Sequence, residues 1–453
     1  MPVPSLQDVL EPHDNPIQFL RNQDMPPGDF IWTQPDEYTN WIEEQRAIRE
    51  AVSLRDMSFH MDNRYFEGPD AVELFSDFGV NGFEDLRIGD SPQAKQIVCC
   101  NPDGYVIGDG ALYHIDDEEF VITGAGMVSN WLEYNAETGD YDVTVETGNN
   151  PMSEDLPREF RFQVQGPNAK AVLEAVTERS LPDIGLFEMA ELTIEGTEMY
   201  ALGHGMGGSY GLEISGPFEH HEAVKNAIMD AGEEHGIRQL GSKSYKTLAI
   251  EIGWIASFTP AIYGHEDLAD YRERLEVASV EANTIVGGSY YADDITDYYL
   301  NPVELGYEHL IDFDHDFVGK EAVKETVDNP RRERVTFVWN AEDVVDMYAS
   351  LFEDGETNKF FEMPDPGFRW NVAQYDRIEK DGEIVGLSKD QGYLSSERAV
   401  LSIGVIDTDY AEPGTEVTLV WGDEKSENSA IERHTETEIQ ATVSPSPYLK
   451  TRE

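Results

Sequence analysis

A short module that reads strand, Gly-Pro, helix occurs three times in the first half of this 453-residue chain. In each copy, a run of alternating apolar residues ends at Gly-Pro and a run with helical spacing follows. The three pairs are Gly68-Pro69, Gly166-Pro167 and Gly216-Pro217. Glycine can end a strand and proline suits the first turn of a helix, so each pair predicts a strand leading into a helix. The repetition predicts an α+β body built from related subdomains.

The helical spacing fades after about residue 330. The stretches RRERVTFVWN, GEIVGLSKDQGYL, RAVLSIGVID, TEVTLVWGD and EIQATVSP alternate between apolar and polar residues and are separated by turn residues. This pattern predicts a separate antiparallel β-barrel. Residues 1–34 are rich in proline and are predicted to form an irregular arm. The predicted domains are therefore the arm (1–34), an α+β body of two interleaved subdomains (35–330) and the barrel (331–453).

The charge of the chain is strongly one-sided. Asp and Glu total 90 against 32 Lys and Arg, which gives a net charge of −58. The carboxylates extend from Asp8 to Glu453, so they do not form an acidic tail, and no repeated metal-binding loop occurs. Such self-repulsion is screened at about 1 M salt, where the Debye length is ~3 Å. The composition predicts a surface adapted to molar salt, and it disfavours nucleic-acid binding, which needs clustered Lys and Arg.

Cysteine content and hydropathy indicate where the protein works. Cys99 and Cys100 are the only cysteines, and adjacent cysteines rarely form a disulfide, so a reduced, intracellular protein is predicted. The first 16 residues lack the charged and apolar regions of a signal peptide. No run approaches the roughly 20 apolar residues of a membrane span. A cytoplasmic protein without a membrane partner is predicted.

Three motifs resemble known ligand sites but favour other interpretations. Gly203–Gly208 fits GxGxxG, yet SYGLEISGP follows it and reads as a strand, whereas a dinucleotide site needs a helix there. A turn that lets the backbone approach a flat ligand is the favoured interpretation. Asp312–Asp316 begins like a calcium loop, but Phe317 occupies the glycine position. His220 and His221 are adjacent at the predicted start of a surface helix, so they would point apart, and no metal site is predicted.

Two segments combine residue types that acid–base chemistry uses. His60 lies at the junction between the first long predicted helix and the first predicted strand. The second segment places Lys243, Tyr245 and Lys246 in an apolar helical pattern that ends near Trp254. A tyrosine can protonate a leaving oxygen, and a lysine can supply positive potential. The structural alternative is a packed histidine, and a helix whose tyrosine packs while its lysines reach solvent.

Six segments, in order, resemble the glycine-cleavage T-protein (aminomethyltransferase) family and its demethylase relatives. They are SLRDMSFHM with EGPDAVELF, CCNPDGYVIGDGALYHI, FRFQVQGPNAKAVL, GSYGLEISGP, AGEEHGIRQLGSKSYKTLAIEIG and NPVELGYEHLIDFDHDFVGKEAV. The resemblance implies a cloverleaf folate-binding body closed by a C-terminal β-barrel, with tetrahydrofolate as cofactor. It also implies that Glu213 hydrogen-bonds the pterin ring, whose N–H edge suits a carboxylate. Tyr113, Asn101 and Tyr210 are further cofactor-binding candidates.

Departures from the T-protein pattern bear on the reaction. That pattern has two consecutive aspartates, of which the first is essential for aminomethyl chemistry, and the aligned positions here are Gly108 and Asp109. Asp109 remains a cofactor-binding candidate. The helix around Tyr245 resembles that of the tetrahydrofolate-dependent aryl methyl ether O-demethylases, which implies that this tyrosine protonates a phenolate. In that branch an arginine is implied to hold a substrate carboxylate, and the matching segment 124–131 has none.

These observations together predict a demethylase that moves a methyl group from a small O-methyl or S-methyl donor to N5 of tetrahydrofolate. Tyr245 is the predicted acid, and His60 orients it or the substrate. Lys243, Lys246 and Trp254 are the predicted substrate contacts, and no metal is predicted. Two alternatives stay open. One is an aminomethyltransferase served by a lipoyl carrier protein, and the other is a non-catalytic, regulatory folate-binding protein.

Overall fold

The computed structural model describes residues 3–23, 35–84, 86, 92–151, 153, 155–177, 180–205, 209–364, 372–428 and 431–448. Its helices are α1 (Leu6–Leu10), α2 (Pro16–Arg21), α3 (Trp41–Glu50), α4 (Ala71–Phe78), α5 (Met127–Thr138), α6 (Ala169–Thr177), α7 (His221–Gly232), α8 (Ser242–Ile252), α9 (Ala269–Arg274), α10 (Pro302–Leu305), α11 (Lys320–Asp328) and α12 (Ala341–Ala349). No helix within these ranges has the length and apolarity that crossing a membrane requires.

The strands form two sheets of the body, a small parallel pair and a barrel. They are β1 (Ser53–Asp56), β2 (Asp62–Glu67), β3 (Gln93–Cys100), β4 (Val106–Asp116), β5 (Glu119–Gly124), β6 (Thr144–Asn149), β7 (Glu159–Gln165), β8 (Met189–Ile194), β9 (Thr197–Gly203), β10 (Gly211–Pro217), β11 (Arg238–Gln239), β12 (Ile285–Gly287), β13 (Arg332–Trp339), β14 (Val372–Gln374), β15 (Asp376–Lys380), β16 (Glu383–Leu394), β17 (Ala399–Asp407), β18 (Glu416–Trp421) and β19 (Thr437–Pro445).

The body contains a five-stranded antiparallel sheet, β3-β4-β5-β2-β6, and a six-stranded sheet, β11-β1-β7-β10-β9-β8. In the second sheet only the β1–β11 pair is parallel. Strands β13-β17-β16-β15-β18-β19 close an antiparallel barrel, and one buried cluster joins barrel residues such as Leu387 and Leu401 to the core of the body. The predicted fold class, an α+β body with an antiparallel C-terminal barrel, is confirmed.

The three strand–helix modules form as the Gly-Pro pairs predict. Strand β2 leads into α4, β7 into α6 and β10 into α7. At the second pair, Gly166 has φ +127 and packs so closely on the residues just before β1 that a Cβ would lie 2.6 Å from the carbonyl oxygen of Ala51. Only glycine adopts this conformation readily at such an approach. The module therefore fixes β7 beside β1, and these two strands carry several residues of the site described below.

Two regions differ from the sequence prediction. The expected irregular arm contains α1 and α2, whose Leu6 and Leu20 are fully buried. Ser5 and Asp8 form a reciprocal capping box on α1, and Pro16 occupies the first turn of α2, where proline favours a helix. The rest of the arm, from residue 24 to residue 34, lies outside the described residues. The predicted all-β region also contains α12, which Asn340 caps with its side chain.

Helix α8 is fixed at both ends. At its start, Glu44 of α3 accepts hydrogen bonds from the backbone N–H of Gly241 (2.9 Å) and the hydroxyl of Ser244 (3.0 Å). At its end, Gly253 has φ +70, a left-handed conformation that ends the helix and turns the chain toward residues 254–258. These anchors hold the helix that carries Tyr245 and the loop that carries Trp254.

Candidate functional site

A cavity of about 270 Å³ lies where β4, β10, α8 and the loop after α8 meet. Its wall is mostly apolar, with Met57, Met61, Met127, Phe187, Leu202, Ile252, Trp254 and Phe258. Its ionisable groups are His60, Asp109, Tyr113, His204, Glu213, Tyr245, Lys246 and Tyr307. An apolar cavity with a few convergent polar groups is typical of a small-molecule site. Seven of the ten site residues predicted from the sequence line this cavity.

Glu213 is the centre of a buried hydrogen-bonded cluster. Its Oε1 accepts a hydrogen bond from Nη1 of Arg161 at 2.8 Å and lies 3.4 Å from the hydroxyl of Tyr113, while its Oε2 lies 2.9 Å from Nδ1 of His204. Arg161 also donates to the Tyr113 hydroxyl (2.7 Å) and to Oγ1 of Thr123 (3.1 Å). The arrangement follows from register, because Glu213 pairs with Gln163 and Arg161 lies two residues farther along the same face of β7.

The cluster keeps Glu213 ionised. Burial alone would raise the pKa of this carboxyl, but the hydrogen bond with His204 and the charge of Arg161 outweigh burial and lower the pKa to about 2. The same burial raises the pKa of Tyr113 well above its usual value, so this hydroxyl keeps its proton. At neutral pH the cavity therefore presents a fixed carboxylate acceptor, compensated by a buried guanidinium.

Tyr245 and His60 meet in the wall of the same cavity. Nε2 of His60 lies 3.4 Å from the Tyr245 hydroxyl, and the two rings meet edge to face with centroids 5.3 Å apart. Burial and the charge of Arg55 lower the pKa of His60 to about 3, so the imidazole is neutral at neutral pH. Burial raises the pKa of Tyr245 above its usual value. This pair offers a protonated phenol beside a neutral imidazole in a largely apolar cavity.

Asp109 ends a chain of hydrogen bonds that crosses the cavity wall. The indole Nε1 of Trp254 donates to the Tyr307 hydroxyl (3.0 Å), which donates to Oδ2 of Asp109 (2.8 Å). Nε2 of Gln96 approaches the same oxygen at 3.4 Å. Burial raises the pKa of Asp109 despite these hydrogen bonds. The chain fixes the indole of Trp254 and holds one carboxylate oxygen, so it orients groups from three separate segments.

Gly108, the neighbour of Asp109, leaves no room for a side chain. A Cβ at this position would lie 2.6 Å from the backbone nitrogen of Val128 and 3.0 Å from Cβ of Met127, both in α5. Adjacent residues of a strand face opposite sides, so Asp109 faces the cavity while position 108 faces the helix. At this point of β4, the chain can present only the carboxylate of Asp109 to a ligand.

Asn101, Tyr210 and Lys243 do not line the cavity. Asn101 stabilises a turn, where its Oδ1 accepts from the backbone N–H groups of Asp103 and Tyr105, and its Nδ2 donates to Ala261. Tyr210 packs against the core of the six-stranded sheet. Lys243 points toward three carboxylates, with Nζ 3.7 to 3.9 Å from Asp36, Glu37 and Glu362. In the structure these three side chains make their contacts outside the cavity, although their sequence segments resemble the family.

His221 departs from its predicted place on a helix surface. It is only 7% exposed, and its Nε2 lies 2.7 Å from Oδ2 of Asp56. Burial would raise the pKa of Asp56, but this contact and the hydrogen bonds from Ser58 lower it. The pair joins the start of α7 to the end of β1. Within the described ranges, no three His, Cys, Asp or Glu side chains group in a way that could hold a metal ion.

Sequence reasoning missed Arg161, His204 and Tyr307. A signal for Arg161 exists in EFRFQVQ, where polar residues alternate with Phe160, Phe162 and Val164 in a strand that is buried on both faces. A buried arginine needs a partner, which points to a charged cluster. His204 and Tyr307 carry no such local signal, because their contacts come from strands and loops distant in sequence.

Comparisons with known proteins agree with this architecture. The family model for the GCVT N-terminal domain matches residues 25–265. Syringate O-demethylase of Sphingobium sp. (strain NBRC 103272 / SYK-6) is 38% identical over 448 residues, which cover 98% of this chain and 96% of that protein. Sesamin methylene transferase of Sinomonas sp. (strain No.22) is 28% identical over 402 residues, or 84% and 82% of the two chains.

A solved structure supports the fold independently. The glycine cleavage system aminomethyltransferase T from Bartonella henselae matches 96% of both chains with a TM-score of 0.64, at 16% sequence identity. The match of the family model to more than half of the chain, and the 38% identity over nearly its whole length, confirm the predicted resemblance. The chain belongs to the GCVT family, the family of the glycine-cleavage T-protein.

Proposed function

We propose that this enzyme, a tetrahydrofolate-dependent one-carbon transferase by its family, is an O-demethylase that moves a methyl group from a small ether donor to N5 of folate. The observation that carries the proposal is the Tyr245–His60 pair, in which a protonated phenol lies 3.4 Å from a neutral imidazole on a largely apolar cavity wall. A departing alkoxide or phenoxide needs such a proton. Syringate O-demethylase, the 38% identical relative, supports the same class of donor.

The residues of the cavity fit tetrahydrofolate. A pterin presents N–H and amino donors on one edge and flat apolar faces, and the cavity offers the ionised Glu213 and the carboxylate of Asp109 among apolar side chains. In this proposal Glu213, Tyr113 and Asp109 hold the cofactor. When bound, tetrahydrofolate supplies the N5 lone pair that accepts the methyl group. Lys246 and Trp254 line the same cavity and are proposed as donor contacts.

The proposed step needs one proton on the oxygen side. The methyl carbon–oxygen bond breaks, its electron pair stays on the oxygen, and the Tyr245 hydroxyl gives its proton to that oxygen. Methylation of the folate amine would release one proton, and the tyrosinate would take up a proton in its place, so Tyr245 would be unchanged over a cycle. The neutral His60 keeps the Tyr245 hydroxyl in place, and the apolar wall limits access of water to the reacting atoms.

The product identifies the reaction. The enzyme is incubated with tetrahydrofolate and, separately, methoxylated aromatics, dimethylsulfoniopropionate, and glycine with a lipoyl carrier protein. We expect 5-methyltetrahydrofolate from a methoxylated aromatic, because Tyr245 can protonate the departing oxygen. Methylene-tetrahydrofolate formed from glycine would replace the demethylase with the aminomethyltransferase alternative. Folate binding by calorimetry without turnover of any donor would favour the non-catalytic alternative.

We also propose that the protein works in a cytoplasm rich in salt. The net charge is −58, and both cysteines, Cys99 and Cys100, are buried and free. Screening at high ionic strength removes the self-repulsion of the carboxylates, so Tm is expected to rise steadily from low salt to about 2 M KCl. Thermal unfolding across this series measures the effect, with choline chloride as a second salt. A Tm that stays flat or falls would refute the adaptation to salt.

A further inference from the structure

Arg55 is a buried cation directly behind Tyr245. It lies in β1, its side chain is among the largest that are fully buried, and its guanidinium carbon is 4.8 Å from the centroid of the Tyr245 ring. Nη1 donates to the carbonyl oxygen of Leu240 at 2.9 Å, which anchors the guanidinium beside the start of α8. Nε and Nη2 are buried and have no hydrogen-bond partner among the described residues. A native fold rarely leaves two such donors unsatisfied.

The carboxylates near Arg55 are bound to other groups. Asp56 is held by Ser58 and by His221, whose Nε2 lies 2.7 Å from Oδ2. Glu44 accepts hydrogen bonds from Gly241 and Ser244, and also from the backbone N–H groups of Tyr38 and Thr39 just before α3. Among the described residues, none forms an ion pair with Arg55. An arginine cannot lose its proton in a protein, so Arg55 is a buried positive charge without an ion-pair partner in the described part of the chain.

We propose that Arg55 is a positioning residue for the acid step, which stabilises the tyrosinate that Tyr245 becomes when it gives up its proton. The inference rests on the proposed function for the role of this proton, but the electrostatic coupling of the two side chains stands without it. The ground state holds an unpaired cation against the face of a neutral ring. Proton transfer creates a negative charge on that ring, so the attraction is greatest when the proton has left.

Several other ionisable groups surround the Arg55–Tyr245 pair. On the cavity side, His60 is neutral, with its pKa lowered to about 3 by burial, and Glu213 is ionised, with its pKa lowered to about 2 against the effect of burial. Behind Arg55, the pKa of Asp56 is also lowered, and burial raises that of Tyr38. Glu44 and Arg161 complete the surroundings. Because Arg55→Met leaves all these groups in place, the difference between the two titrations of position 245 reports on the charge of Arg55.

The first test measures the acidity of Tyr245 directly. A difluorotyrosine, which is more acidic than tyrosine, is incorporated at position 245, and its fluorine resonance is followed with pH in otherwise wild-type protein and in Arg55→Met. Methionine keeps much of the volume and removes the charge. We expect the pKa of the probe to rise by about 1 unit or more in Arg55→Met. Arg55→Lys keeps a positive charge and should restore most of the shift.

Arg272→Met is the matched control for losing a buried guanidinium. Arg272 is 7% exposed, bonds to Gln7 and to the carbonyl oxygens of Ile262 and His265, and does not line the cavity. Loss of the Arg272 guanidinium should lower the stability of the protein and leave the pKa of the probe at position 245 unchanged. An unchanged probe pKa in a folded Arg55→Met protein would overturn the inference, and so would an equal shift in Arg272→Met.

The second test uses turnover. Arg55→Met should lower kcat by about 10-fold or more while the KM for the donor changes little, and the loss should shrink for donors whose phenols are more acidic. In a Tyr245→Phe background the same substitution should cost nothing further, since it acts through the missing hydroxyl. Additive losses, equal for all donors, would assign Arg55 a structural role only. A shifted probe pKa with no demethylation of any donor would retain the coupling and reject the proposed function.

Discussion

Replacing Tyr245 with phenylalanine is expected to lower kcat for methyl transfer by about 10²- to 10⁴-fold, the range typical of a lost general acid. The ring stays in place, because it packs edge to face against His60 and over the guanidinium of Arg55, and neither contact needs the hydroxyl. Only the proton for the departing oxygen is lost. Initial rates of 5-methyltetrahydrofolate formation at saturating donor and folate give the change in kcat, and calorimetry gives the Kd for folate, which should stay nearly constant.

Tyr271→Phe is the control for this experiment. The Tyr271 hydroxyl is also buried, hydrogen-bonds Oε1 of Glu281 at 3.1 Å and lies outside the cavity, so its removal tests the general cost of losing a buried tyrosine hydroxyl. We expect this variant to keep its kcat and to lose some stability. A fully active Tyr245→Phe would clear the tyrosine of the acid role without affecting the assignment of the product.

The architecture of the body was readable from local sequence signals. Each Gly-Pro pair marks a change from period 2 to period 3.6, and the fold places a strand and a helix on either side of it. The N-terminal helices also carry local signals, since Ser5 with Asp8 and Asn15 with Pro16 are standard helix starts. The prediction of an irregular arm gave more weight to the proline content of residues 1–34 than to these signals. Helix α12 is a nine-residue insertion between barrel strands, too short for its period to be distinct.

The site was only partly predictable, because its contacts join segments far apart in the chain. Trp254, Tyr307 and Asp109 form one chain of hydrogen bonds, although 198 residues separate the last two. Position 108 could be aligned with the family, but only the tertiary packing of α5 shows that no side chain fits there. Likewise, a helical pattern alone does not distinguish the two lysines of α8. Lys246 lines the cavity, whereas Lys243 lies near carboxylates from two other segments of the chain.

Replacing Glu213 with glutamine is expected to weaken folate binding by at least about 2 kcal/mol, the cost of leaving a buried polar partner poorly matched. The amide keeps the shape of the side chain and loses the charge that suits the N–H edge of a pterin. It also leaves Arg161 as a buried cation whose only ion-pair partner within the described part of the chain is gone. Breaking one side of a buried pair typically costs about 3–5 kcal/mol, so a fall in stability must be separated from the fall in affinity.

The dependence of stability on pH provides one way to separate the fall in stability from the fall in folate affinity. The pKa of Glu213 is about 2 in the folded protein, below the ordinary value of 4.5, so its carboxylate contributes stability that is complete above about pH 4.5 and is lost as pH falls toward 2. Glu213→Gln should lack this part of the acid transition. Chemical unfolding between pH 2 and pH 6, at constant high salt, compares the two proteins. Identical pH dependence would mean that Glu213 is not the stabilising carboxylate.

A double variant separates affinity from stability. Arg161→Met combined with Glu213→Leu removes both charges and places apolar side chains of similar size in the core, an exchange that is often neutral or stabilising for a buried pair. We expect it to recover most of the stability lost in Glu213→Gln, because no buried charge is left unpaired. Folate affinity should not recover, since the carboxylate acceptor is still missing. If the double variant bound folate as tightly as wild type, Glu213 would be a structural partner of Arg161 and the pterin would have to bind elsewhere in the cavity.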